Sequence, residues 1–375
     1  MTTEPMTSRH LNARGCRLAL PVSGTFELTP RCNFNCRICY VHLNKDIESI
    51  MQRELSTEEW LSIAEQAKEM GLMFLLLTGG EPFLRADFPY LYERLVKMGF
   101  IISINTNASL YNDRLSELFA KYPPCRINVT LYGASEETYK RLCGNASFEK
   151  VVNNLKRMKQ EKLPVRLNVS LTPYNVCDME GIDAISQELG IHAKATSYMY
   201  PPVRVSGCIG ENSARFTAEE AGRAIVKWYG LRESNEDYAN KAEALNEKLR
   251  NDRECAECFS NEGSEIKCRA GRSSFWITWD GKMTPCGTMS VEGSDVRVLG
   301  FKAAWEQVNS MAREVRLPVE CESCELRSSC SVCASICKGE TGHFDKKPEY
   351  LCTMTRARIQ EIFRIAGIDG GQHED

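Results

Sequence analysis

The sequence predicts an α/β chain: a partial (β/α)6 TIM-like barrel, open along one edge, followed by a small cysteine-rich C-terminal domain. Two observations carry this. From about residue 24, short apolar stretches alternate six times with amphipathic ones. Apolar runs of strand length with little alternation are those of a parallel sheet covered by helices on its faces. In addition, thirteen of the 18 cysteines fall into three groups, two of them beyond residue 254. Six βα units are too few to close an eight-stranded barrel.

The elements follow in order. TFEL (25–28) reads as a strand running into a loop of three cysteines. STEEWLSIAEQAKEMG (56–71) reads as a helix. Ser56 caps it, Glu59 completes a capping box, and Gly71 ends it. FLLLT (74–78) is a buried strand stopped by Gly79-Gly80, and 88–99 is helical. IISIN (101–105), RINVTLY (126–132), VRLNVSL (165–171) and IHAKAT (191–196) are the remaining strands. Helices at 113–122, within 135–160 and around 178–189 separate them. FWITWDGKMTPC (275–286) reads as a hairpin turning at Asp280-Gly281. Little apolar material is evident between 286 and 352, so metal is expected to stabilise this region. A last helix is expected from about 352 to 366. The resulting division is an extension at 1–24, the barrel at 25–203, a helical bridge at 204–254, the cysteine-rich domain at 255–355, and a helix and tail at 356–375.

The formal net charge is −3, which offers no broad basic surface for nucleic acid or anionic membrane. No apolar run approaches the roughly 18 residues of a membrane span. The N-terminal stretch lacks the apolar core of a secretory signal. A cytoplasmic protein is expected. In a reducing compartment, clustered cysteines point to metal rather than disulfides.

The sharpest motif is CNFNCRIC (32–39), spaced C-x3-C-x2-C after the first strand. A structural zinc site takes four protein ligands, whereas this loop supplies three, Cys32, Cys36 and Cys39. Three ligands on a four-iron cluster leave one iron open to another molecule. One unit later, Gly79-Gly80-Glu81-Pro82 ends the second strand. Glycines there allow close approach of backbone to a ligand. Cys16, Cys125, Cys143, Cys177 and Cys208 are scattered and read as ordinary thiols.

The cysteine loop followed by GGEP resembles the radical S-adenosylmethionine (radical SAM) superfamily. The resemblance implies a 4Fe-4S cluster on Cys32, Cys36 and Cys39. Its open iron would chelate S-adenosylmethionine, whose reductive cleavage gives a 5′-deoxyadenosyl radical that takes hydrogen from substrate. It assigns Glu81 to the methionine ammonium, with Gly79, Gly80 and Pro82 around it, and Ile38 near the adenine. Asn105, Thr106 and Asn107 resemble the family's strand-end TN motif. Thr130, Asn168 and Ser170 are further cofactor-binding candidates, and Arg204 is a candidate for a substrate carboxylate. No catalytic acid or base is evident.

Residues 268–286 read C-x12-G-x4-C, and 321–337 read C-x2-C-x5-C-x2-C-x3-C, with Cys352 beyond. This resembles the SPASM domain, which holds two auxiliary iron–sulfur clusters. The second half departs from the usual form in one spacing and in the extra Cys337. By resemblance, Cys321, Cys324, Cys330 and Cys352 hold the outer cluster, and Cys268, Cys286 and Cys333 the inner. The inner cluster's fourth ligand stays open among Cys337, Cys255, Cys258 and no protein ligand.

SPASM members mostly modify peptides or proteins, by crosslinking, epimerisation or oxidation. The resemblance therefore implies a peptide or protein substrate and an electron donor such as flavodoxin or ferredoxin. Only 31 residues precede Cys32, so a separate leader-peptide-binding protein is a further expected partner. The alternatives are a small-molecule dehydrogenase, an anaerobic sulfatase-maturing enzyme, and a non-catalytic iron–sulfur scaffold. Sulfatase-maturing members carry an aspartate after the second SPASM cysteine, where this chain has Gly287.

Overall fold

The computed structural model describes residues 6–41, 47–201, 214–254 and 263–368. Arg204, Cys208, Cys255 and Cys258 lie outside them. The barrel half is α1 (Met6–Leu18), β1 (Ser23–Glu27), α2 (Ile47–Arg53), α3 (Thr57–Glu69), β2 (Phe74–Thr78), α4 (Phe88–Lys97), β3 (Ile101–Thr106), α5 (Asp113–Lys121), β4 (Arg126–Thr130), α6 (Glu136–Cys143), α7 (Phe148–Gln160), β5 (Val165–Ser170), α8 (Met179–Leu189) and β6 (Ala193–Thr196). Then come α9 (Ala218–Gly230), α10 (Asn235–Glu254), β7 (Ser274–Ile277), β8 (Lys282–Thr284), β9 (Ser294–Asp295), α11 (Val296–Glu314), α12 (Ala334–Thr341) and α13 (Glu349–Ile365).

All six predicted strands form, in parallel register from β1 to β6. Burial alternates along them, where near-continuous apolar strands were expected, and this alternation explains the layers. Phe26, Leu75, Leu77, Ile102, Ile104, Ile127, Val129, Leu167 and Val169 are buried outward against the helices. The intervening residues, mostly polar, face the concave side. The capping box of α3 is present in full, with Ser56 Oγ accepting from Glu59 N and Glu59 Oε2 from Ser56 N. Such a cap is worth about 1 kcal/mol.

Three features differ from the sequence expectation. The hairpin at β7–β8 is not separate from the barrel: β7 pairs in parallel with β1, giving one nine-stranded sheet, β6-β5-β4-β3-β2-β1-β7-β8-β9. The stretch between 286 and 352 is less poor in apolar residues than it reads. It contains the 19-residue α11, whose Phe301, Trp305 and Val308 are fully buried in the main core. Finally, 6–18 is helical, and its Asn12 is bound to Ser23 Oγ at the foot of β1. No helix among the described residues is long and apolar enough to cross a membrane.

Candidate active site

The C-terminal ends of the strands meet the cysteine loop around a cavity of about 430 Å3. Its lining includes Cys32, Cys36 and Cys39, with Ile38 between the last two. Gly79 and Gly80 come from the end of β2, and Asn105 and Asn107 from the end of β3. Thr130 ends β4, while Asn168 and Ser170 stand on β5. Eight of the ten residues expected to bind cofactor thus line one space, because alternate positions on neighbouring parallel strands share a face. Glu81 and Pro82 do not line it.

The loop is held by its neighbours. Arg31, just before Cys32, makes a two-pronged ion pair with Glu54 (Nε–Oε1 2.8 Å, Nη2–Oε2 2.9 Å). Asn35 N and Arg37 N donate to the carbonyls of Cys143 and Leu142 at the end of α6. Asn107 Nδ2 lies 3.7 Å from Cys32 Sγ and donates to Asn33 Oδ1 at 3.0 Å. The glycines also serve a close packing of backbone on backbone. Gly80 N donates to Thr29 O at 2.6 Å and Glu81 N to Arg31 O at 2.8 Å. A Cβ on Gly79 would stand 2.4 Å from Thr29 O, and one on Gly80 2.3 Å from Arg31 O. The backbone they approach is the segment that carries the cysteine loop.

Glu81 is wholly buried behind those glycines. Its carboxylate accepts from Asn107 N (2.7 Å), Thr106 Oγ1 (2.8 Å) and Phe83 N (3.1 Å). Burial pushes its pKa up to about 7 against the pull of those three donors. A cation at the cavity edge would favour its ionised form.

The thiols are desolvated. Burial raises Cys32 to about 12, with Glu81, Cys36 and Cys39 adding to the rise. Cys36 shares a hydrogen bond with the thiol of Cys143, which with its burial raises it further, while Tyr132 donates to it. Mutually opposed, buried thiolates are stabilised by a cationic metal group, so the donor set suits one. Among the described residues no three His, Cys, Asp or Glu side chains close on a single ion; a four-iron cluster spreads its thiolates over several metal atoms. Reading the motifs alone misses Tyr132, Lys194 and Cys143. The first two were within reach, since Tyr132 continues the inward parity of Thr130 and Lys194 is opposite Asn168. Cys143 is brought in by tertiary contact.

The C-terminal cysteines form two neighbourhoods. Burial and then the charges of Cys352, Cys330 and Cys324 push Cys321 up to about 12. Cys333 is raised by burial and by Cys286 and Cys268. Cys337 is fully buried and feels Cys321 ahead of Cys333, so it stands between the two sets. Tyr200, in the cavity wall, is hydrogen-bonded to Cys333 and links that wall to the second set.

Gly287 packs against Trp276, and a Cβ there would lie 2.5 Å from the indole. No side chain fits at 287 without moving that ring.

Residues 26–183 match the model of the Radical SAM superfamily. The AdoMet-dependent heme synthase of Methanosarcina barkeri is 24% identical over 342 residues, 87% of this chain and 94% of that one. A probable GTP 3′,8-cyclase of Saccharolobus islandicus is 34% identical over 167 residues, 44% of this chain and 53% of that one. Among solved structures, anSMEcpe with bound AdoMet and Kp18Cys peptide superposes with a TM-score of 0.67 at 15% identity, covering 92% of this chain and 96% of that one. Streptococcus suis SuiB bound to precursor peptide SuiA gives 0.62 at 16%, covering 94% and 82%.

Proposed function

This chain is a radical SAM superfamily enzyme, and from that premise we propose that it abstracts hydrogen from a peptide or protein substrate that enters through the open flank of the barrel. The observation that carries the site is the three-thiol loop above a cavity walled by Gly79-Gly80 and by the amide and hydroxyl strand ends. Cys32, Cys36 and Cys39 would hold a 4Fe-4S cluster, which would supply the electron for reductive cleavage of S-adenosylmethionine. The protein's own residues do the rest. Glu81 offers negative charge behind the Gly79-Gly80 turn, toward the methionine ammonium. Asn107 fixes Cys32 through its amide. Asn168, Ser170 and Thr130 offer hydrogen bonds to hydroxyl groups, and Ile38 offers apolar contact to a base. Cys321, Cys324, Cys330 and Cys352 would hold one auxiliary cluster, and Cys268, Cys286 and Cys333 the other, with Cys337 within range of both sets.

Peptide entry is supported by β6, which ends the sheet with no described strand beyond it, and by two neighbours of the same fold whose structures contain peptides. Gly287 beneath Trp276 argues against an aspartate base at that position, and so against the sulfatase-maturing alternative. A small-molecule substrate is the second reading, favoured by the heme synthase that aligns along most of the chain. The test is anaerobic incubation with S-adenosylmethionine, reductant and peptides encoded beside the gene, following 5′-deoxyadenosine and peptide mass. A mass change coupled to 5′-deoxyadenosine supports the peptide reading. Uncoupled 5′-deoxyadenosine with every peptide, and coupling to a small molecule, would replace it with the second.

A further inference from the structure

The base of the barrel carries a positive face. Three segments meet there: α1, the turn at 263–273, and 311–317 at the end of α11. Cys16 of α1 donates through Sγ to Ser273 Oγ at 3.2 Å, and its carbonyl accepts from Arg313 Nη2 at 3.3 Å. Arg316 pairs with Glu265 in an antiparallel bridge, and Leu317 N donates to Ser264 O at 2.8 Å. Together the three segments hold eight arginines and lysines against two glutamates, in a chain whose net charge is −3. Arg14, Arg17, Lys267, Arg313 and Arg316 are exposed. The hydrogen bonds of Arg313 and Arg316 go to an amide side chain and to backbone carbonyls, all neutral acceptors.

This face surrounds a thiol of the inner set. Cys268 is exposed, next to Lys267. With Cys286 it lines a cavity of about 730 Å3, walled also by Ser23, Phe74 and Ile101, the first residues of β1, β2 and β3. The candidate active site lies at the other ends of the same strands. Five or six residues, at about 3.3 Å each, separate the two openings. A protein seated at the base therefore leaves the upper opening free for substrate. The inner set also reaches upward, through Cys333 to Tyr200 in the wall of the upper cavity. Positive charge around an exposed redox ligand steers and orients an acidic partner. A nucleic acid fits less well, since none of the three segments carries a Phe, Tyr or Trp on which bases could stack.

We propose that the basic face around Cys268 is the docking surface of an acidic one-electron carrier protein, which hands its electron to the inner auxiliary cluster. This rests on the reading of Cys268, Cys286 and Cys333 as ligands of that cluster. One electron leaves the carrier's reduced flavin or iron–sulfur group and enters the cluster. The carrier is oxidised by one electron, the cluster is reduced by one, and no bond is made or broken.

The test uses anaerobically reconstituted full-length protein and a flavodoxin as the probe, with binding followed by calorimetry. Saturable binding is expected, weakened by added salt and weakened about tenfold in R14E/R17E/K267E. These are exposed side chains that none of the bonds above uses, and iron content checks that the variant is loaded; if it is not, R14E/R17E alone carries the test. The charge-keeping R14K/R17K/K267R binds as the parent does. So does R114E/K150E, which reverses exposed cations on α5 and α7. In stopped flow at low carrier concentration, reduced flavodoxin is expected to bleach the clusters of R14E/R17E/K267E about tenfold more slowly, whereas dithionite reduces both proteins alike. Absence of binding, unchanged affinity in R14E/R17E/K267E, or an equal loss in R114E/K150E overturns the proposal. Binding of single-stranded DNA in place of flavodoxin gives the face to nucleic acid and overturns it too. Cys268→Ala tests the premise separately, since it should lower iron content. Unchanged iron with charge-sensitive flavodoxin binding overturns only the cluster beneath the face, whereas lowered iron without such binding overturns only the docking.

Discussion

Glu81 is a carboxyl group whose ionisation burial disfavours. Its pKa is raised from 4.5 to about 7. Below pH 4.5 it is protonated in both folded and unfolded chains. Between there and pH 7 the unfolded chain ionises first, so stability falls as pH rises and the loss is complete above the folded pKa. The expected size is about 3 kcal/mol. Anaerobic urea titrations from pH 5 to 8 should show this decline, and Glu81→Gln should flatten it. The three loop cysteines make a sharper prediction. Changing Cys32, Cys36 and Cys39 to alanine should abolish 5′-deoxyadenosine formation and lower bound iron from about twelve to about eight atoms. Retained cleavage would contradict their assignment.

Between elements, the decisive contact is where the end of β2 presses on the segment leading to the cysteine loop. Gly80→Ala places a methyl group 2.3 Å from Arg31 O. It should cost about 1–3 kcal/mol and reduce iron loading at that loop before it affects the C-terminal clusters. A thermal melt with iron analysis by cluster type checks this, and normal loading would mean the loop is held elsewhere. The strands, the capped α3 and the motif positions were legible in the sequence because local periodicity and turn residues encode them. The β1–β7 pairing was not, since Ser23 and Ser274 meet across some 250 positions and no local pattern announces the partner. Helix α11 was hidden for a related reason. Gly300, at φ 73°, interrupts its periodicity. Its apolar face is completed by distant residues, with Trp305 Nε1 donating to Ala19 O at 2.7 Å and Phe301 N to Gln66 Oε1 at 3.0 Å. At the site, parity along the strands was readable, whereas the burial of Glu81 behind the turn was not.

At the scale of the molecule, one sheet runs from the open flank at β6 to the hairpin that leads into Cys286, so barrel and auxiliary region share a frame. Tyr200 and the half-buried Arg215–Glu340 pair, with Tyr198 donating to Glu340 at 2.7 Å, tie the strand ends to α12. Metal in the C-terminal set should therefore stabilise the whole. Changing Cys321 and Cys324 to alanine is expected to lower both iron content and melting temperature, and an unchanged iron count would remove the outer cluster from the account. Cys32, Cys36 and Cys39 are proposed to hold a cluster whose open iron meets S-adenosylmethionine. The most direct measurement is iron and sulfide content with EPR on anaerobically reconstituted protein, with and without S-adenosylmethionine. About twelve irons are expected, with a reduced-cluster signal that shifts when S-adenosylmethionine is added. Zinc in place of iron, or a signal that S-adenosylmethionine leaves unchanged, would contradict it.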